Sequence, residues 1–304
     1  MKSNSIKVIF AYILLCLLWG STWMVIRASL ESLTPFISSG ARFIVASIFI
    51  FVLMKFRGVF LQTDKESIRL YLLMGFFSFV IPFGLVYWAE QFVPSGLAAV
   101  LFGVYPFFVA LFSFLRIPDE SIGSIKIIGM SLGFIGITII FSDSFTSDFS
   151  NLFLGMIAVA LSGIMQAWIA VTMKKSGKHL NPLSMNLVPM LIAGIAGLLI
   201  GLFIEDISTI KIDNTAVVSV VYLAFFGSVV TFTTFYWLMK KINVVLLSLI
   251  AFITPIVALL LGWIFYKETL TTQHLIGSSL VLLGLLIANL ESVFKQKRTV
   301  VDSI

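Results

Sequence analysis

The stretch GLAAVLFGVYPFFVALFSFLRIPDESIGSIKIIGMSLGFIGITIIF (Gly96–Phe141) has a second version in the same chain, LLSLIAFITPIVALLLGWIFYKETLTTQHLIGSSLVLLGLLIANL (Leu246–Leu290). Pro106 aligns with Pro255, Glu120 with Glu268 and Gly129 with Gly277; upstream, Tyr87-Trp88 aligns with Tyr236-Trp237. Each version is a pair of long apolar runs joined by a short polar turn. An α-helix needs about 20 apolar residues to cross a bilayer, and these runs have that length. They do not alternate with period two, which excludes a β-barrel. Helices and closed barrels are the only structures that satisfy their backbone in lipid.

Composition extends this reading to the whole chain. Its 304 residues are 60% hydrophobic and 11% charged, and mean hydropathy is +1.10. A soluble domain has about 25% charged residues, so this chain has too little polar surface to face water. Cys16 is the one cysteine and lies in an apolar run, which leaves no disulfide framework and no thiolate metal cluster. The net charge of +6 is scattered over short loops, so nucleic acid is not an expected partner and the lipid bilayer is.

Ten spans are predicted, at 8–28, 34–54, 70–89, 95–115, 124–142, 152–173, 183–204, 215–238, 244–265 and 272–291. The first is too long for a signal-peptide core and belongs to the repeat, so it reads as a retained helix. With the N-terminus inside, 16 of the 20 Lys and Arg residues fall on the cytoplasmic side. Arg27, Lys211 and Lys267 fall outside and Arg42 within a span. That bias predicts an N-in, C-in multi-pass protein of the cytoplasmic membrane. The fold class is therefore all-α and polytopic, built as two five-helix repeats over 1–145 and 150–304. Five is odd, so the second repeat enters the membrane inverted. Inverted repeats are the architecture of secondary transporters, which alternate access around a midplane site.

Several motifs add a resemblance: WGSTWMVIR (Trp19–Arg27), ARF (Ala41–Phe43), VPSGLAAVLFGVYP (Val93–Pro106), the Asp-Glu turn before Ser121, and FITPIVALLLGWIFYKETLTTQHLIGSSLVLLG (Phe252–Gly284). Together they resemble the EamA family of the drug/metabolite transporter superfamily. The resemblance implies ten helices, a central cavity between the halves, and no ATP hydrolysis. It also points to export of amino acids, other metabolites or drugs.

Polar groups inside hydrocarbon are costly, so each is a candidate for the transport pathway. Arg42 lies about eight residues into helix 2, or ~12 Å deep at 1.5 Å per residue. It should face the cavity or bond helix ends and carbonyls, as a structural anchor or as an anion contact. Trp19, Trp23 and Arg27 recur every four residues and share a face, with Ser21 and Thr22 between them. Indole faces can stack on rings or hold cations, and they also serve as packing. Arg27 is expected to pair with Glu31 one turn later. Tyr87-Trp88 and Tyr236-Trp237 sit at matching places in helices 3 and 8 and would suit two gates of one pathway. Tyr105, Ser113, Ser248 and Thr254 are the polar options of helices 4 and 9. Gln166 and Asn186 are further candidates, each equally suited to an interhelical hydrogen bond. Pro106 and Pro255 predict kinks in helices 4 and 9. The glycines of 129–136 and 194–201 have small-xxx-small spacing, which suits packing within the bundle. They would also permit a homodimer, which nothing else in the sequence supports.

WAEQFVPSG (Trp88–Gly96) places Glu90 and Gln91 at the outer mouth of helix 3, with Ser95 as the expected N-cap of helix 4. A solvated turn accounts for both side chains; an acid there could instead attract a substrate ammonium or titrate during transport. No acid lies at the middle of a helix, so a buried proton-exchanging carboxylate is not evident. No cofactor is expected: the P-loop pattern is absent, and His179 and His274 lie at opposite ends of the bundle and cannot share a metal. GxSxG is absent too, and the chain does not read as an enzyme. The expected function is a secondary carrier or facilitator that moves a small metabolite, an amino acid or an aromatic or amphipathic compound, most readily outward. The alternative is a non-transporting sensor or assembly subunit. Its need for long partner-binding loops is unmet by a tail of about a dozen residues.

Overall fold

The computed structural model describes residues 2–117, 123–142, 151–239, 247 and 250–301. Among these residues there are no strands. The helices are α1 (Lys2–Ser29), α2 (Pro35–Arg57), α3 (Lys65–Ala89), α4 (Ser95–Arg116), α5 (Ser124–Ser142), α6 (Asn151–Ser176) and α7 (Ser184–Ile204). Then come α8 (Asn214–Ala224, continuing through Phe225–Val230 to Thr231–Met239), α9 (Ile250–Tyr266) and α10 (Thr272–Val301). Eight of these are long and apolar enough to cross a membrane, and α9 and α10 contribute the shorter apolar helices Ile253–Tyr266 and Thr272–Ala288. Large apolar side chains such as Phe10, Ile13, Ile128, Leu260 and Trp263 are exposed on the outside of the bundle. In water they would be a liability; in lipid they match their solvent. The chain is a multi-pass membrane protein.

Helix pairing is specific. α2 packs on α7, α5 on α10, α1 on α8 and α9, α6 on α3 and α4, and α4 on α9. Exchanging each helix for the one five places along turns these pairings into themselves. Small residues allow the closest approaches. A Cβ added to Gly136 would lie 2.5 Å from the Gly277 carbonyl oxygen, and one on Gly277 would lie 2.6 Å from that of Gly136. Gly40 and Gly197 meet in the same way between α2 and α7, with a Cβ on Gly197 2.9 Å from the Gly40 Cα. Without a hydrophobic drive between helices in lipid, such backbone contact is the main source of packing energy.

Two features depart from regular helix. α3 and α8 each contain a π-helical turn, Gly75–Val80 and Phe225–Val230, about midway along. Each inserts extra backbone and loosens the ladder of carbonyl bonds. α4 is interrupted at Phe102–Gly103 and resumes at Val104. Pro106 cannot donate to the Phe102 carbonyl, which accepts instead from the Tyr105 amide at 3.0 Å. Pro255, its sequence counterpart, lies inside a continuous helix. Of the two prolines at which the sequence predicts a kink, the helix is interrupted beside Pro106 and runs on through Pro255.

Connections are tied by half-buried side chains that bond distant amides. Glu205, after α7, accepts from the Phe36 and Ile37 amides at the start of α2, at 2.9 and 3.2 Å. Gln62, after α2, accepts from the Asn181 amide just before α7, at 3.3 Å. The Asp-Glu turn at Asp119-Glu120, together with Ser248, lies outside the described residues.

Candidate functional site

Arg42 is 2% exposed, about two turns into α2. Its partner is the π turn of α8. Nε donates to Ser228 Oγ at 3.0 Å and Nη2 to the Gly227 carbonyl at 2.9 Å, while Nη1 donates to the Tyr87 hydroxyl at 3.3 Å. Ser228 donates its own hydrogen back to the Leu223 carbonyl at 2.9 Å, so its lone pair is free for Arg42. A carbonyl oxygen has two lone pairs, so Gly227 can accept from Arg42 whatever its place in the helix ladder. Gly227 is needed here because a Cβ would lie 2.9 Å from Thr22 Cγ2 and 3.4 Å from Arg42 Nη2. The guanidinium also lies over Phe43 and Phe83, at 5.2 and 5.0 Å from the ring centroids. No carboxylate is bonded to it among the described residues. Arg42 is thus a fixed cation compensated by dipoles and ring faces, and it anchors α2 to α8 and α3 at once.

Glu90 follows directly on α3, beyond the span. It is 2% exposed, and neither carboxyl oxygen has a hydrogen-bond partner. The solvated turn expected from sequence therefore holds for Gln91, which is exposed and bonds the Trp88 carbonyl at 3.1 Å, and not for Glu90. The correction has a packing cause. The Glu90 amide is bonded to the Val86 carbonyl, which carries the helix one residue on and turns the carboxyl inward. Burial pushes this carboxyl well above the usual glutamate value; the neighbouring Glu268 adds to that, and Arg27 and Arg42 oppose it.

Glu268 is the hub at this end. It accepts from Ser95 N at 2.9 Å, Ser95 Oγ at 2.8 Å and Gly96 N at 3.1 Å, and from Arg27 Nη1 at 3.1 Å. The carboxylate caps α4, whose first amides would otherwise be orphaned, and lies at the favourable end of the helix dipole. Ser95 is therefore the first helical residue with Pro94 at the cap position, and the capping oxygen comes from a residue 173 positions away. Arg27 pairs with Glu268 rather than Glu31, which instead accepts from the Tyr266 hydroxyl at 2.8 Å. Lys267 adopts φ 53°, a left-handed turn that a lysine takes at a cost of about 1–2 kcal/mol and that delivers Glu268 to α4.

Between these two groups runs the aromatic face of α1. Trp19 meets Phe232 and Phe235 of α8 at 5.6 and 5.2 Å between centroids, and Trp23 meets Phe102 at the α4 break at 5.6 Å. Tyr105 stacks on Phe102, and Tyr236 meets Phe235, itself against Trp19, at 5.5 Å between centroids. Thr22 donates to the Trp19 carbonyl at 2.7 Å and borders Gly227; Ser21 and the Tyr222 hydroxyl are 2.6 Å apart. Trp19, Thr22, Trp23, Arg42, Tyr87, Tyr105 and Tyr236 are thus gathered around α1 and the interrupted parts of α4 and α8.

Other candidates lie apart. Trp88 packs edge-on to Phe92, and Trp237 is 38% exposed while Tyr236 packs inward, so the two aromatic pairs are not equivalent. Gln166 is half-buried in α6. Asn186 donates to the Pro182 carbonyl at 2.9 Å, in the turn just before its own helix. No cluster able to hold a metal is present among the described residues. Sequence reasoning missed Ser228, Gly227 and the capping role of Glu268. The last was signalled only by an acid in a short apolar-flanked turn.

Residues 6–142 match the EamA-like transporter family, and residues 153–290 match it again. The chain belongs to the EamA-like transporter family. EamA relatives include a transporter of Bacillus subtilis, YoaV, 23% identical over 92% of this chain and 96% of its own length. Protein PagO of Salmonella typhimurium is 27% identical over 91% of this chain and 90% of its own. The inner membrane transporter YedA of Escherichia coli K12 is 27% identical over 91% and 88%. One solved crystal structure superposes with a TM-score of 0.69, covering 93% of this chain and 97% of that one at 17% identity, which is a likeness of fold. The EamA resemblance carried by the Trp19–Arg27, Val93–Pro106 and Phe252–Gly284 motifs is the one the comparison finds.

Proposed function

We propose that this EamA protein is a secondary transporter of the cytoplasmic membrane that moves small metabolites by alternating access, in the direction of export. It would span ten times with both termini inside, as two inverted halves, 1–145 and 150–304, that rock about a midplane site. Amino acids and aromatic or amphipathic compounds are the substrate class.

The observation that carries this reading is Arg42, a cation held inside apolar helices with no carboxylate bonded to it among the described residues, beside a face of indoles and phenols. Bilayer burial makes such a charge costly, and the tying of α2 to α8 and α3 that it performs does not itself require a net cation. Its orientation suits the carboxylate of an amino acid or organic acid, and the rings of Trp19, Trp23 and Tyr105 suit an apolar or aromatic remainder. Substrate would reach Arg42 by taking over the hydrogen bond from Tyr87, the longest of the three.

Flux in proteoliposomes over a panel of amino acids, nucleosides, aromatic acids and amphipathic amines tests this reading. Counterflow of at least one panel member, abolished in Arg42→Lys, is expected. Absence of counterflow for every member in a folded preparation would overturn it.

A further inference from the structure

We propose that the outward stripe of α3 at its Lys65 end binds one anionic phospholipid, with the phosphate between Lys65 and Arg69 and an acyl chain along Ile68, Leu72 and Phe76. The site is separate from the Arg42 region and independent of which compound is carried.

Over its first three turns α3 has two faces. Ser67, Leu70, Tyr71 and Met74 are buried against the bundle. Lys65, Ile68, Arg69, Leu72 and Phe76 are exposed and recur at steps of three and four residues, so they form one stripe. That stripe lines a groove of about 390 Å³. Its deep end is closed by Phe77, which packs edge-on to Trp168 of α6 at 5.8 Å between centroids.

The charges at the other end select the occupant. Lys65 and Arg69 are four residues apart on one helix face, where like charges repel. Neither forms an ion pair or a hydrogen bond among the described residues. Asp64, the acid beside them, is spent on the amide and hydroxyl of Ser67. A phosphate seated between the two cations removes their repulsion, and basic pockets at the ends of membrane helices hold anionic headgroups in this way.

The dimensions fit one leaflet. From Lys65 to Phe77 the helix rises ~18 Å at 1.5 Å per residue, and half of the bilayer hydrocarbon is about 15 Å thick. The stripe therefore runs from headgroup level to the midplane, the reach of one acyl chain, and ends on the π turn Gly75–Val80. With the N-terminus inside, as proposed above, this leaflet is the cytoplasmic one, which is rich in anionic lipid. The other repeat offers a comparison: the first two turns of α8, Asn214–Val221, contain no charged residue.

Native mass spectrometry of the full purified chain, given phosphatidylglycerol and phosphatidylcholine in equal amounts, tests the site. Wild type should retain one phosphatidylglycerol in preference to phosphatidylcholine. Lys65→Gln combined with Arg69→Gln should cut that preference about 30-fold, the strength of two cations at an anionic lipid surface. Lys55→Gln combined with Arg57→Gln removes two exposed cations from the same end of the bundle and should leave the preference unchanged. Leu72→Trp fills the groove, keeps both cations and should also cut retention, whereas a large excess of inorganic phosphate should not displace the lipid. All five side chains are exposed, so none of these variants removes a core contact. No preference in wild type, equal losses in the two double variants, or displacement by phosphate would each overturn the proposal. A second copy of the chain in the groove would appear as a dimer that Leu72→Trp dissolves, and would overturn it as well.

Discussion

The guanidinium of Arg27 and the carboxylate of Glu268 meet at 3.1 Å, and the same carboxylate caps the first two amides of α4. One side chain thereby joins α1, α4 and the turn after α9. The ion pair itself is weak: Arg27 is 35% exposed, and pairs of that kind contribute about 0–1 kcal/mol. The cap is the larger part, because a lost N-cap costs about 1 kcal/mol and here two amides and a hydroxyl would be orphaned together.

Glu268→Ala should therefore lower stability by about 2 kcal/mol, more than Arg27→Ala, which removes the pair and leaves the cap. Thermal unfolding in nanodiscs checks the order. Equal effects would mean that the ion pair, not the cap, holds this end.

Arg42→Lys keeps the charge and loses the fork. Lysine cannot reach Ser228, Gly227 and Tyr87 together, and a buried polar group left unpaired costs about 1–3 kcal/mol. A stability loss of that size is expected, with loss of substrate counterflow. A variant that is stable and fully active would show that the cation's charge, and not its attachment to the π turn, is what matters.

Gly136→Ala places a methyl against the Gly277 carbonyl oxygen and should separate α5 from α10, at about 1–3 kcal/mol for an overpacked contact. Gly136→Ala combined with a second enlargement at Gly277 should cost less than the sum, because the helices have already parted. Additive losses in thermal unfolding would contradict direct contact.

Two carboxylates should give stability opposite pH dependences. Glu90 is raised above its usual 4.5, so its contribution is fully present below that value and is lost as pH rises through the raised one. Asp213 is held low by the Ala216 amide first and the Ser32 hydroxyl second, so its contribution is present above 3.8 and lost as pH falls through the lowered value. Wild-type and Glu90→Gln unfolding temperatures should accordingly diverge as pH rises, and those of wild type and Asp213→Asn should converge as it falls. A Glu90→Gln difference constant across pH would remove the buried acid from the account.

Much of this was legible in the chain. Hydropathy marks the apolar helices because lipid requires long runs, and the shared motifs of the two halves carry the family. Arg42 could be singled out because one charge in a long apolar run has no cheap explanation. Its partners could not, since Ser228 and Gly227 lie 186 and 185 residues away. Glu90 was misplaced for a related reason. A polar residue at a helix end reads as solvated, and its burial depends on how α1, α2 and the turn after α9 close around it. Glu268 likewise reads as a turn acid until α4 is set beside it.

The most direct measurement is counterflow of a metabolite panel into liposomes holding the purified chain, wild type beside Arg42→Lys. A secondary transporter with its site at Arg42 should exchange at least one amino acid or aromatic compound in wild type and not in the variant. Folded wild-type protein that exchanges none of them, or an Arg42→Lys variant that exchanges as well as wild type, would contradict the account.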